Sequence, residues 1–207
     1  MMGWKCRNGK IEGLRVITPF FTEDQRGYFL KNMEKDIFSG FGIEMDIYEE
    51  FETYSKKNVI RGLHFQTQNP QGKLVRAVKG SIMDVAVDLR EGSSTFGRWE
   101  SVMLSDENHE AFWIPAGFAH GFEVISEDAL VSYKCVGKFL SEYDTGIKWD
   151  DPDIGIKWMA KEPVLSAKDN QLMSLKEFVA NYHGLKDGAV NREGGVKYNL
   201  LFPMVAA

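Results

Sequence analysis

Cysteine is scarce in this chain. Cys6 and Cys135 are its only two, and they form no Cys-x-x-Cys pair. That excludes both the disulfide framework of small secreted domains and a cysteine-based zinc site. No apolar run approaches the ~20 residues of a membrane-spanning helix. The start, Met1-Met2-Gly3-Trp4-Lys5-Cys6-Arg7-Asn8, lacks the apolar core of a secretory signal, so a cytoplasmic protein with no membrane partner is expected. A large charge excess is also missing. Lys plus Arg is 25 and Asp plus Glu is 30, a net charge of -5. A weakly acidic balance argues against a general binder of nucleic acid or anionic membrane. It leaves room for a local basic pocket that takes a phosphorylated small molecule.

What is present reads as β structure. The 207 residues are 43% hydrophobic and 27% charged. A chain of that length buries roughly 70% of its unfolded surface, enough to fold without disulfide or metal. A single domain over 1–207 is expected, with a core of about 16–169 and a C-terminal helix and tail over 170–207. Short strand-like runs are bounded by turn residues. In Ser81 to Arg90, Met83, Val85, Val87 and Leu89 alternate with Asp84 and Asp88. That period of two predicts a strand with one buried face. Lys73 to Val78 precedes it, and Lys79-Gly80 predicts a hairpin turn between the two. Further strands are expected at Trp99–Leu104, Ala111–Ile114, Phe122–Ile125 and Ala129–Val136. This spacing predicts a sandwich or barrel. One helix start stands out: the capping box Ser174-Leu175-Lys176-Glu177, with the helix ending near Gly184. The apolar end, Leu200-Leu201-Phe202-Pro203-Met204-Val205, is expected to dock on the domain or on a second subunit.

Two of the four histidines sit in apolar, aromatic surroundings. They are His64 in Arg61-Gly62-Leu63-His64-Phe65-Gln66 and His120 in Pro115-Ala116-Gly117-Phe118-Ala119-His120-Gly121-Phe122. An imidazole there needs a partner; taken alone, each reads as a hydrogen-bonded core histidine. Pro115-x-Gly117-x-x-His120 resembles the second motif of the cupin superfamily of small β-barrels. Metal-bearing cupins carry His-x-His in their first motif, where this chain has His64-x-Gln66. A ligand is missing, which weakens the reading as a metal-dependent cupin enzyme.

A longer set of segments resembles one family closely. It comprises Arg61-Gly62-Leu63-His64-Phe65-Gln66, Gln71-Gly72-Lys73-Leu74-Val75-Arg76, Asp84-Val85-Ala86-Val87-Asp88-Leu89-Arg90 and Thr95-Phe96-Gly97. It continues through Trp113 to Phe122, Tyr133-Lys134, Gly146 to Pro152 and Leu165-Ser166-Ala167-Lys168-Asp169. Together they resemble the dTDP-4-dehydrorhamnose 3,5-epimerases, from about Val16 to Asp169. The resemblance implies a mainly β, cupin-type antiparallel barrel or jelly roll with a short C-terminal helix. It implies an epimerase acting on a nucleotide-linked 4-keto-6-deoxy sugar, on the way to a surface glycan or a glycosylated metabolite. The hydrogens on C3 and C5 are acidic because both carbons flank the C4 ketone. Inversion needs a base on one face, an acid on the other and a group that holds the enolate oxygen, with no metal and no redox cofactor.

Carried over residue by residue, the resemblance makes His64 the base and Asp169 its carboxylate partner. It makes Tyr133 the acid and Lys73 the cation beside the C4 oxygen. Arg26, Arg61, His120, Asp144 and Lys168 match positions that hold substrate, with Asp144 standing where the family usually has Glu. A homodimer is implied, with Arg26 acting in the partner's site. Taken singly, these residues have plainer readings: Tyr133 as a cross-strand tyrosine, Lys73 as a turn lysine, Arg61 as half of a surface ion pair, Asp169 as a cap. The chain also departs from the family. Lys31 replaces a Glu, and Glu49-Glu50-Phe51-Glu52-Thr53 replaces Gln-x-Asn-x-Ser. Lys138-Phe139 stands where paired tyrosines are common. These changes leave the nucleotide base open among thymidine, cytidine, guanosine and uridine. They also leave open a non-catalytic nucleotide-sugar binding protein.

Overall fold

The computed structural model describes residues 3–186, so the apolar tail noted above lies outside the described residues. Two antiparallel sheets carry the fold. The first has six strands: β1 (Lys5–Asn8), β2 (Arg15–Thr18), β5 (Ile47–Lys56), β7 (Gly72–Lys79), β10 (Ala111–Ile114) and β12 (Asp128–Val136), in the spatial order β1-β2-β10-β7-β12-β5. The second has five: β6 (Ile60–Gln66), β8 (Ser81–Asp88), β9 (Trp99–Ser105), β11 (Phe118–Val124) and β13 (Asp144–Gly146), in the order β13-β6-β11-β8-β9. A separate ribbon pairs β3 (Phe20–Asp24) with β4 (Gly27–Lys31). Helix α1 spans Lys35–Gly40 and α2 spans Leu175–Tyr182.

The inner faces of the sheets share one core. Val75, Phe112, Val131 and Tyr133 from the first sheet meet Ile82, Ala86, Leu104 and Phe122 from the second. A second core covers the outer face of the five-stranded sheet, where Leu63, Met83, Val85 and Val87 pack with Ile147, Phe178 and Leu185. This corrects the expectation of one buried face for Ser81 to Arg90. Both faces of β8 are buried, and Asp84 and Asp88 are fully enclosed. The alternation is real, but its polar side faces the barrel interior and its apolar side is roofed by α2 and the segment after β13.

The expected hairpin at Lys79-Gly80 is also corrected. Gly80 does turn the chain, with φ +73°. However, β7 and β8 belong to different sheets, so the turn carries the chain across the barrel. The capping box at Ser174 forms as expected. Glu177 N donates to Ser174 Oγ at 3.2 Å, and Ser174 N donates to Glu177 Oε2 at 2.7 Å. Such a cap contributes about 1 kcal/mol. The short helix α1, which carries no capping side chain, went unanticipated.

Two local devices set the strands that bear the site. Asp88 anchors the turn from β8 to β9. Its carboxylate accepts from Arg90 N and Nε, Ser93 Oγ and Thr95 Oγ1, at 2.6–3.0 Å. The Arg90 guanidinium lies over the Phe118 ring. Between β6 and β11, Gly62 and Gly121 approach back to back. A Cβ on Gly62 would lie 2.6 Å from Gly121 Cα, and one on Gly121 would lie 2.6 Å from Arg61 O. Gly62 has φ +128°, a conformation that disfavours side chains.

Candidate active site

A cavity of about 360 Å³ opens where the two sheets meet. Its walls are Glu49 and Phe51 from β5, His64, Phe65 and Gln66 from β6, Gln71 and Lys73 at the start of β7, and Phe139, Asp144 and Lys168 from the later chain. Strand alternation puts His64 on the inner face of β6. Residues 166–171 cross over it and bring Asp169, distant in sequence, within reach.

His64 Nε2 and Asp169 Oδ1 are 2.5 Å apart, with the histidine side chain 31% exposed and the aspartate 4%. Asp169 also accepts from Ser166 Oγ at 2.8 Å, and its own N–H donates back to Ser166 Oγ. Burial pushes the Asp169 carboxyl up, but the His64 and Ser166 hydrogen bonds outweigh it, and the group is held below its ordinary value. An ionised carboxylate orients the imidazole and stabilises the imidazolium that forms when the other ring nitrogen takes a proton.

A second histidine–carboxylate pair lies on the neighbouring strands. His120 on β11 is the direct register partner of His64. Its Nε2 lies 2.7 Å from Asp84 Oδ1, and both side chains are buried. Burial raises the Asp84 pKa, while His120 and Lys73 draw it down; Asp84 Oδ2 has no hydrogen-bond partner. Asp84 is not among the site residues expected from the sequence. Its signal was an acidic residue on the interior side of an alternating strand.

Lys73 reaches the cavity half-buried, and burial lowers its pKa against the opposing pull of Cys135, Asp144, Asp84 and Glu49. A cation in so enclosed a site can stabilise developing negative charge on an oxygen. Tyr133 sits deeper and is buried. Burial and the nearby Asp84 charge hold its phenol protonated well above the ordinary value, while Thr53 and Arg61 pull the other way. A phenol held protonated in this way is able to donate a proton at neutral pH.

The remaining expected residues divide. Lys168 and Asp144 form an ion pair on the cavity wall. Arg61 lies near Tyr133 with Nε donating to Ser55 Oγ at 2.9 Å. Arg26 stands at the exposed tip of the β3–β4 ribbon, paired with Asp24 and away from this cavity within the chain. Lys31, at the end of the same ribbon, pairs with Glu34 at the start of α1, whereas Glu49 and Phe51 do line the cavity. Gln66, at the position of a cupin metal ligand, uses its amide on the backbone of Asn69, Lys138 and Leu140. Among the described residues, no three His, Cys, Asp or Glu side chains converge as a metal-holding group.

A histidine–carboxylate pair, a buried phenol and a cation brought together in an antiparallel double-sheet barrel suit acid–base chemistry, and the fold is of the cupin-type class. Within that class the assignment is narrower. The family model described as dTDP-4-dehydrorhamnose 3,5-epimerase matches residues 8–177, and the chain belongs to that family. A curated relative of that name from Methanothermobacter thermautotrophicus is 48% identical over 81% of this chain and 92% of its own length. The crystal structure of a Legionella pneumophila dTDP-6-deoxy-D-glucose-3,5-epimerase, in complex with dTDP-4-keto-L-rhamnose, superposes with a TM-score of 0.82. It shares 40% identity, covering 84% of this chain and 94% of that one. A 4-keto-6-deoxy sugar epimerase from the novobiocin gene cluster of Streptomyces spheroides is similar at 33% identity and TM-score 0.82, covering 86% and 91%.

Proposed function

We propose that the chain inverts C3, C5 or both in a nucleotide-linked 4-keto-6-deoxy sugar. The observation that carries this reading is the His64–Asp169 pair opening onto a cavity that also holds Lys73. His64 takes the proton from the carbon beside the ketone, leaving an enolate whose oxygen faces the Lys73 ammonium. Asp169 stabilises the imidazolium. Tyr133 returns a proton from the opposite face, which inverts the centre, and solvent resets both groups. His120, Arg61, Asp144 and Lys168 hold substrate. The names of the relatives point to a dTDP-linked sugar, and the test below includes other bases because Glu49 and Phe51 line this chain's cavity.

We further propose a homodimer in which the β3–β4 ribbon reaches the partner's cavity. The ribbon forms a separate two-stranded sheet and carries Tyr28 and Phe29, 59% and 55% exposed. Among the described residues no helix is long and apolar enough to cross a membrane.

Proton NMR of dTDP-4-keto-6-deoxyglucose with the enzyme in D₂O tests the chemistry. Deuterium entering at C3 or C5, with the inverted sugar appearing, is the expected outcome. The CDP- and GDP-linked ketosugars are run in parallel, and absence of exchange with all three overturns the reading.

A further inference from the structure

Phe51 occupies a position that the proton-transfer scheme leaves unused. In the β5–β12 ladder it stands directly opposite Tyr133. Residues so opposed on antiparallel strands project from the same face, with Cβ atoms about 5 Å apart. Their rings stack with centroids 4.7 Å apart and planes 15° from parallel. On another side the Tyr133 ring meets His120 edge-on at 5.8 Å, and His120 is itself fixed by Asp84. Two aromatic groups therefore bracket the phenol, one from its own sheet and one from the opposite sheet.

The two supports differ in kind. His120 is buried in the middle of the second sheet. Phe51 is 42% exposed, lines the cavity and sits on β5, the last strand in its sheet order. An apolar ring left that exposed contributes less burial than a core residue. Having no polar atom, it cannot hydrogen-bond a sugar hydroxyl. What it does offer is a flat face against Tyr133.

We propose that Phe51 is a positioning residue for the proton donor, its ring holding the Tyr133 phenol in line with the carbon that receives the proton. This rests on the role given to Tyr133 above. Stacking limits the swing of the Tyr133 side chain about its first torsion, and a misplacement of ~1 Å costs on the order of 10²-fold in rate. The base step at His64 does not depend on it.

The test compares Phe51→Leu, Phe51→Tyr and Tyr133→Phe with the parent enzyme, reading kcat, KM and the ratio of deuterium wash-in to inversion. Phe51→Leu should lower kcat about tenfold or more at unchanged KM and raise the exchange-to-inversion ratio. Phe51→Tyr, which keeps a flat ring, should restore both. In a second readout needing no turnover, ¹³Cζ-tyrosine NMR with Tyr133 assigned by Tyr133→Phe, Phe51→Leu should shift the Tyr133 titration toward the ordinary tyrosine value. An unchanged ratio and titration in a folded Phe51→Leu protein overturn the proposal, as does faster inversion, which would mean that Phe51 shields the phenol. If Tyr133→Phe inverts normally, the assignment of Tyr133 fails and this proposal with it. If Tyr133→Phe loses inversion while Phe51→Leu keeps it, only the positioning role fails.

Discussion

The residues with the most direct chemical consequence are His64 and its carboxylate. Removing a general base costs 10²–10⁴ in rate. His64→Asn is therefore expected to lower kcat by ~10³ with little change in thermal stability, since the ring is part-exposed. Near-normal turnover in steady-state kinetics would show that another group takes the proton. Much of this site was legible in the sequence, but through resemblance rather than spacing. His64 and Asp169 are 105 positions apart, and no periodicity places one beside the other. Tyr133 and Lys73 likewise read as ordinary strand or turn residues until the barrel sets Lys73 in the cavity and Tyr133 beneath Phe51, which lines it. Asp84 was harder to assign. Its alternation was visible, but the face it occupies depends on which side of β8 looks inward. Phe51 stood out only as a departure, because a ring stacked on the tyrosine opposite needs a register that local sequence does not reveal.

At the scale of elements, alternation and turn chemistry located β7 to β12, with β10 at the expected residues and β12 within one, but not β1 to β6 or β13. They could not tell a hairpin from a crossing between sheets at Gly80, because a tight turn looks the same locally in both. The β8–β9 turn makes the energetics of one element measurable. Asp88 loses solvation on burial, yet the bonds from Arg90, Ser93 and Thr95 hold its pKa down at about 2. A depressed carboxyl stabilises the fold above its unfolded value near 4 and loses that contribution as pH falls toward 2. Asp88→Asn should thus destabilise the protein by about 2 kcal/mol at pH 7. Urea midpoints of the two proteins should converge between about pH 4 and 2. A gap that does not change with pH would mean that the turn is held by shape and not by the ionised carboxylate.

For the whole molecule, the ribbon is the feature a single copy leaves least explained. If it completes the partner's cavity, sedimentation should give about 47 kDa, twice the 23.5 kDa of one chain. Arg26→Ala should weaken substrate binding, and mixing it with His64→Asn should recover activity in hybrid dimers that contain one intact site. A monomer that retains full activity would place the ribbon's role elsewhere. Recovery in the mixture would separate action in trans from a merely structural ribbon.

The meeting of Gly62 and Gly121 bears on how such a molecule can change over time. Those glycines leave no room for a side chain on either strand, and the same two strands carry His64 and His120. The spine of the site is thus locked against drift, since a single replacement would push apart the backbone that aligns both histidines. The outer strand, where Glu49 and Phe51 stand, has neighbours on one side only. New substrates would therefore be reached by altering that margin at Glu49, while Phe51 and the proton-moving groups behind it are inherited intact.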